Sequence, residues 1–187
     1  MEMRERKILE AATQVFLRYG VKRASMGDIA TEAGVARQTL YNSYSNKDDI
    51  LRGSIRLYGL DAMAAIEAAL PKAATVADQV DLVLREMALK PFAFLHASPN
   101  AQDLIEGYNA AGRSEMEANY LAFQNLLQRL FEPHADQLAK RALTPALLAE
   151  IVRRSAAALK HQAQDEGHLA ELLTGVRSLV VAVTEQR

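Results

Sequence analysis

The sequence predicts an all-α fold: an N-terminal three-helix domain containing a helix-turn-helix, joined to a larger C-terminal helical domain, with about nine helices in total. Three observations carry this reading. Apolar residues recur at helical spacing along nearly every segment. Hydroxyl and carboxylate residues stand where helix starts need caps. No strand-like alternation, low-complexity segment or internal repeat interrupts the pattern.

In the first helix Ile8, Ala12, Val15, Phe16 and Tyr19 form one apolar stripe, and Gly20 supplies the stop. Ser25 is the N-cap of the second, with Asp28 three residues on in a near capping box, and that helix ends at Gly34. A third covers residues 37–43. Asn46 caps the fourth, with Asp49 at its third position. Leu51, Ile55, Tyr58, Ala62, Ile66 and Ala69 carry it to Pro71, about 23 residues and 35 Å at 1.5 Å per residue. The only linker between the two parts is the turn near residues 45–46, so domains over 1–46 and 47–187 are expected to be tightly joined.

Beyond Pro71, Thr75 and Asp78 open a helix to about Lys90, where Pro91 kinks or breaks it. Ser98-Pro99 precedes another over about 100–111. Residues 113–131 carry Met116, Tyr120, Phe123, Leu127 and Leu130 on one face. Thr144-Pro145, a cap followed by proline at the first helical position, opens the next. The last is expected from about His168 to Glu185, after a turn at Gly167.

Composition sets wide limits. The chain has 187 residues and is 50% hydrophobic, enough for a real core. Its 22 Lys+Arg and 23 Asp+Glu give a net charge of −1, which names no partner. The absence of cysteine excludes disulfides, zinc-thiolate sites and thiol catalysis. No run approaches the roughly 18 apolar residues of a membrane span. The N-terminal "MEMRERKILEAA" lacks the apolar core of a signal peptide, so a cytoplasmic location is expected, without a membrane partner.

Residues 26–45 hold the informative motif. Ala30, Gly34 and Leu40 fall at relative positions 5, 9 and 15 of that window, the spacing of a helix-turn-helix. Ala30 is small where the second helix crosses, Gly34 supplies a positive-φ turn, and Ile29, Val35 and Leu40 fill the space between the helices. The polar residues of the second helix then face outward, as a helix entering a major groove requires. Arg37 can fork onto guanine or phosphate, and Gln38 and Asn42 can each read adenine. Thr39 can meet phosphate or a thymine methyl, and Tyr41 offers a hydroxyl on a rigid arm. Lys47 stands in the first turn of the long helix, Ser25 and the amides after it could clamp a further phosphate, and Arg4, Arg6 and Lys7 form a basic N-terminal patch. On spacing alone, a helical hairpin with a solvated polar face competes with this reading.

The stretch "ILEAATQVFLRYGVKRASMGDIATEAGVARQTLYNSYSNKDDIL" resembles the DNA-binding domain of the TetR family of bacterial transcription regulators. The resemblance lies in "I-L-x-A-A-x-x-x-F", "x-S-M-x-D-I-A" and "A-G-V-x-x-x-T-L-Y-x-x-Y/F-x-x-K", and covers about a quarter of the chain. It implies Thr39, Tyr41 and Lys47 as phosphate contacts and Arg37, Gln38 and Asn42 as base readers. Tyr44 stands where phenylalanine is commoner and is expected in the core. Ser43 stands where histidine is frequent, which leaves a base contact there unsupported.

The resemblance further implies a homodimer on a double-stranded DNA operator and an unknown small-molecule effector, with no cofactor and no metal. Candidate dimer residues are Leu147, Ile151, Ser155, Ala158 and Leu159 on the penultimate helix, and Leu172, Val176, Leu179, Val180 and Val183 on the last. The competing reading is ordinary intrachain core. Candidate pocket residues are Met63, Met87, Phe92 and Tyr108, with Met116, Tyr120, Phe123 and Gln124, again against a plain core reading. The four histidines, His96, His134, His161 and His168, form no metal-ligand spacing. No phosphate-cradling glycine loop or nucleophile elbow supports an enzyme. The expected function is a ligand-responsive DNA-binding transcriptional regulator, a repressor released from a palindromic operator by a small hydrophobic or aromatic effector. The alternative is a DNA-binding regulator or architectural protein with no ligand.

Overall fold

Local capping decides where several of the helices begin. In the computed structural model, which describes residues 2–98, 100, 103 and 111–185, the described residues are helical with short connections and contain no strand. Helix α1 spans Met3–Tyr19, α2 Met26–Ala33, α3 Arg37–Ser43 and α4 Lys47–Ala69. The Ser25 hydroxyl accepts from the Asp28 amide while the Asp28 carboxylate accepts from the Ser25 amide, a complete capping box. Asn46 Oδ1 accepts from the Asp49 amide at 2.9 Å and starts α4. Gly34 closes α2 at φ 64°, a left-handed conformation that costs glycine nothing.

The chain packs as two units, residues 1–61 with 94–119 and residues 62–93 with 120–187. In the first, Ile8, Leu9, Ala12, Val15 and Phe16 of α1 are buried against Ile29, Ala30 and Ala33 of α2, Leu40 of α3, and Ile50 and Leu51 of α4. Tyr19 departs from the expected stripe. It is exposed at the last position of α1 and carries the Arg18 guanidinium 5.7 Å from its ring centre. Gly53 lets α4 approach α1 closely, since a Cβ there would strike the Leu9 side chain.

The second unit holds α5 (Val76–Leu84), opened by a second complete capping box from Thr75 and Asp78. The expected end at Lys90 is not observed. A π turn over Arg85–Leu89 leads straight into α6 (Lys90–His96), with the Lys90 amide bonded to the Arg85 carbonyl. Proline cannot donate to the helix ladder and crowds the carbonyl four residues back, and a widened turn just before Pro91 relieves both. Helix α7 spans Arg113–Phe131, α8 Ala135–Ala139, α9 Pro145–Gln162 and α10 Glu166–Thr184. The helix expected over about 100–111 lies almost wholly outside the described residues. Helix α10 starts before His168, because the Asp165 side chain caps the His168 amide at 2.8 Å; Gly167 therefore sits inside the first turn. The core gathers Val80, Val83, Ala88, Leu127, Phe131, Leu138, Ala149, Ala156 and Leu169.

Candidate nucleic-acid interface

Helix α3 buries a single residue, Leu40, in the small core of the first unit. That one anchor, with the left-handed turn at Gly34, fixes which side of α3 faces solvent. Arg37, Gln38, Tyr41 and Asn42 are exposed and Thr39 is half-buried. The sequence therefore delivers five polar side chains to one short exposed surface, among them the donors and acceptors that read base edges.

Their pairing adds detail the sequence lacked. Gln38 Nε2 donates to Asn42 Oδ1 at 2.9 Å, so these two act as a joined amide pair. The Arg37 guanidinium lies against Gly27 in the first turn of α2, in the space a Cβ would fill. There it helps to hold the Asp28 carboxyl below its usual range, after the larger effects of the Ser25 hydroxyl and amide. Tyr44 is buried and its hydroxyl donates to Glu5 Oε1 at 3.2 Å. Burial first, then the Glu5 charge, push that hydroxyl well above the ordinary tyrosine range.

Three expected phosphate groups have internal partners. Ser25 Oγ donates to Asp28 Oδ2 at 2.7 Å and accepts from the Asp28 amide, so its hydroxyl is engaged in the cap. Lys47 Nζ donates to the carbonyls of Ala24 at 2.9 Å and Lys22 at 3.2 Å, bracing the turn between α1 and α2. An ammonium keeps a further donor beyond these two, which leaves a phosphate contact open to Lys47. Arg6 forks onto Asp61 at 2.6 and 2.9 Å, which narrows the N-terminal patch to Arg4 and Lys7. Lys7 Nζ stands by the α2–α3 turn, 3.6 Å from where a Cβ on Gly34 would sit.

Arg18 and Arg23 were not among the expected residues. With Tyr19 and Asp28 they line an open groove beside the start of α2. Arg18 pairs with Glu32 at 3.1 Å and Arg23 donates to the Tyr19 carbonyl at 2.9 Å. The run "RYGVKR" was the available signal.

The remaining candidates divide by burial. Met87, Phe92 and Phe123 are buried in the core of the second unit, and Met63 and Tyr120 pack against it half-buried. Gln124 accepts from Arg153 Nε at 2.7 Å. Met116 is half-buried and falls in the first unit, and Tyr108 lies outside the described residues. On α9, Leu147, Ile151 and Ala158 are exposed and Ser155 half-buried; on α10, Leu179 is 71% exposed and Leu172 half-buried. Leu159, Val176 and Val183 pack partly against the unit's own core. Val180 is corrected outright: at 1% exposure it is intrachain core, because its position on α10 turns inward where Leu179 turns out. Among the described residues no three His, Asp or Glu side chains are placed to hold a metal, and no helix is long and apolar enough to cross a membrane.

Comparison with known proteins agrees with this geometry. Residues 8–53 match the family described as bacterial regulatory proteins, tetR family. The HTH-type transcriptional regulator TtgR of Pseudomonas putida is 32% identical over 88 residues, 46% of this chain and 40% of TtgR. An uncharacterized HTH-type transcriptional regulator of Bacillus subtilis, YezE, is 29% identical over 79 residues, 42% of this chain and 41% of its own length. The chain thus spans about two fifths of each of these relatives. The crystal structure of the regulator FadR from Bacillus subtilis in complex with stearoyl-CoA shares the fold, with a TM-score of 0.66 at 19% identity over 96% of this chain and 99% of that one. Residues 8–53 thus match the helix-turn-helix segment of the tetR family of bacterial regulatory proteins, and the chain as a whole shares the fold of such regulators.

Proposed function

We propose that the chain is a homodimeric transcriptional repressor that reads a palindromic DNA operator through α3 and releases it when a small hydrophobic or aromatic effector binds. The observation that carries the DNA reading is the exposed surface of Arg37, Gln38, Thr39, Tyr41 and Asn42, held outward by the single buried anchor Leu40. Two copies are needed to read two half-sites about 34–36 Å apart. The exposed apolar residues Leu147 and Ile151 on α9 and Leu179 on α10 support a dimer face built from these helices. The cytoplasm is the expected place of action.

Support for an effector comes from FadR, which was solved with stearoyl-CoA. Helix α4 is a single 23-residue helix that begins at Lys47, beside the DNA-reading helix in sequence, and ends at Ala69. An effector that binds one orientation of α4 more tightly would change the separation of the paired α3 helices. DNA affinity would fall by the coupling free energy, typically about 1–3 kcal/mol. The test is selection of binding sites from random duplexes, followed by titration with and without stearoyl-CoA and aromatic compounds. An inverted repeat bound tightly and released by a compound is expected. Selection of no common sequence contradicts the operator reading. A thermal-shift screen in which no apolar compound stabilises the protein favours a DNA-binding protein without an effector.

A further inference from the structure

Arg153 and Lys160 lie on one flank of α9, separated by two turns or about 10 Å along the axis. Arg153 Nε donates to Gln124 Oε1 at 2.7 Å, and Lys160 Nζ donates to the Tyr120 hydroxyl at 3.0 Å, with the ammonium 5.4 Å from the tyrosine ring centre. All four side chains are half-buried, in a seam between α7 and α9 within the second unit. Both acceptors are neutral. Elsewhere in this unit Arg154 sits on Glu150 at 2.7 Å, Arg177 on Asp81 at 2.9 Å and Lys90 on Glu86 at 2.6 Å, while Lys140 and Arg141, which bond neutral oxygens of Gln137, are exposed to solvent. Among the described residues neither Arg153 nor Lys160 has a carboxylate partner. Two partly desolvated positive charges without a compensating anion are an unbalanced arrangement, and an anion is what balances it.

The donor inventory leaves groups to bind one. Gln124 takes the Nε of Arg153, leaving its forked terminal edge, which suits the paired oxygens of a carboxylate or phosphate. One hydrogen bond to Tyr120 leaves further ammonium donors on Lys160. The flank faces away from Leu147, Ile151 and Ala158 at 100° per residue, so a dimer face on those residues would not cover it. Next to the seam, Tyr120 and Leu159 pack against the core that holds Phe123, Met87 and Phe92, giving it an apolar side.

From this arrangement we infer that the α7–α9 seam binds the anionic head of an amphipathic effector, a carboxylate or phosphate group, through Arg153 and Lys160, with the apolar part of the molecule on the Tyr120 side. This rests on the effector reading above and names the effector's chemical class.

The test is fluorescence titration of the full chain with 8-anilinonaphthalene-1-sulfonate and with N-phenyl-1-naphthylamine, which shares the aromatic frame and lacks the charge. The sulfonate dye should bind more tightly. Arg153→Gln and Lys160→Gln should each weaken it about tenfold, while Lys160→Arg keeps it within about twofold and the neutral dye is unaffected in all three. Displacement of the bound sulfonate by stearate or by stearoyl-CoA then separates a carboxylate head from a phosphate head. Sulfonate binding unchanged in the double glutamine variant overturns the inference, as does equal binding of both dyes. Binding of the neutral dye alone removes the anionic class and leaves the effector reading standing. Binding of neither dye removes the effector reading with it.

Discussion

Gln38 Nε2 donates to Asn42 Oδ1 at 2.9 Å across one turn of α3, joining the two amide side chains best suited to read adenine. The bond leaves Gln38 Oε1 and Asn42 Nδ2 facing solvent with opposite hydrogen-bonding character, so each residue sets what the other presents. Gln38→Ala should cost about 1–3 kcal/mol of operator binding and relax preference at particular bases. Combined with Asn42→Ala the losses should not add, with a coupling of about 0.5–3 kcal/mol in a double-mutant cycle. Binding-site selection and titration of the four proteins measure both; additive losses would mean that the pair does not act as one reader.

Lys47 faces two demands. Its ammonium braces the carbonyls of Lys22 and Ala24, and the tetR resemblance assigns it a phosphate. Lys47→Ala should weaken binding to all duplexes alike and lower the salt-dependence slope by about one. It should also lower the melting temperature, since two backbone carbonyls lose a charged donor. A lower melting temperature with an unchanged salt slope would make Lys47 a brace only.

The start of α2 predicts an acid response. Hydrogen bonds from Ser25, and then the Arg37 charge, lower the folded-state value of Asp28 below its ordinary 3.8. A lowered folded value means the contribution is fully present above about pH 4 and is lost as pH falls through the lower folded value. Asp28→Asn should therefore flatten the acid limb of the stability curve below pH 4, read as melting temperature against pH. Parallel curves for the two proteins would contradict the assignment.

Adjacent residues on α10 should behave in opposite ways. Leu179 is 71% exposed and Val180 is 1% exposed. Leu179→Glu should leave the helical circular-dichroism signal intact and shift the protein from dimer to monomer in sedimentation velocity. Val180→Glu should unfold the second unit, because a carboxylate would enter its core unpaired. A Leu179→Glu protein that stays dimeric would place the interface elsewhere.

The helices and the polar surface of α3 are legible in the order of residues alone. Caps such as Ser25 with Asp28, Thr75 with Asp78 and Asn46 act within three residues, so they are written locally. So is the spacing that buries Leu40 and turns Arg37, Gln38, Tyr41 and Asn42 outward. Pro91 and Gly167 misled because breakers act only where the backbone cannot adapt: a π turn absorbs the first, and a capped first turn tolerates the second. Which charges are already paired, and how deep each apolar residue lies, emerges only from the folded chain. Arg6 meets Asp61 across 55 positions and Lys47 meets Ala24 across 23, separations no local pattern encodes. Leu179 and Val180 belong to one apolar stripe, and their fates differ because a neighbouring helix covers one side of α10 and leaves the other bare. Local bonding rules fix the elements; which side of each element is covered depends on contacts between residues far apart in the chain.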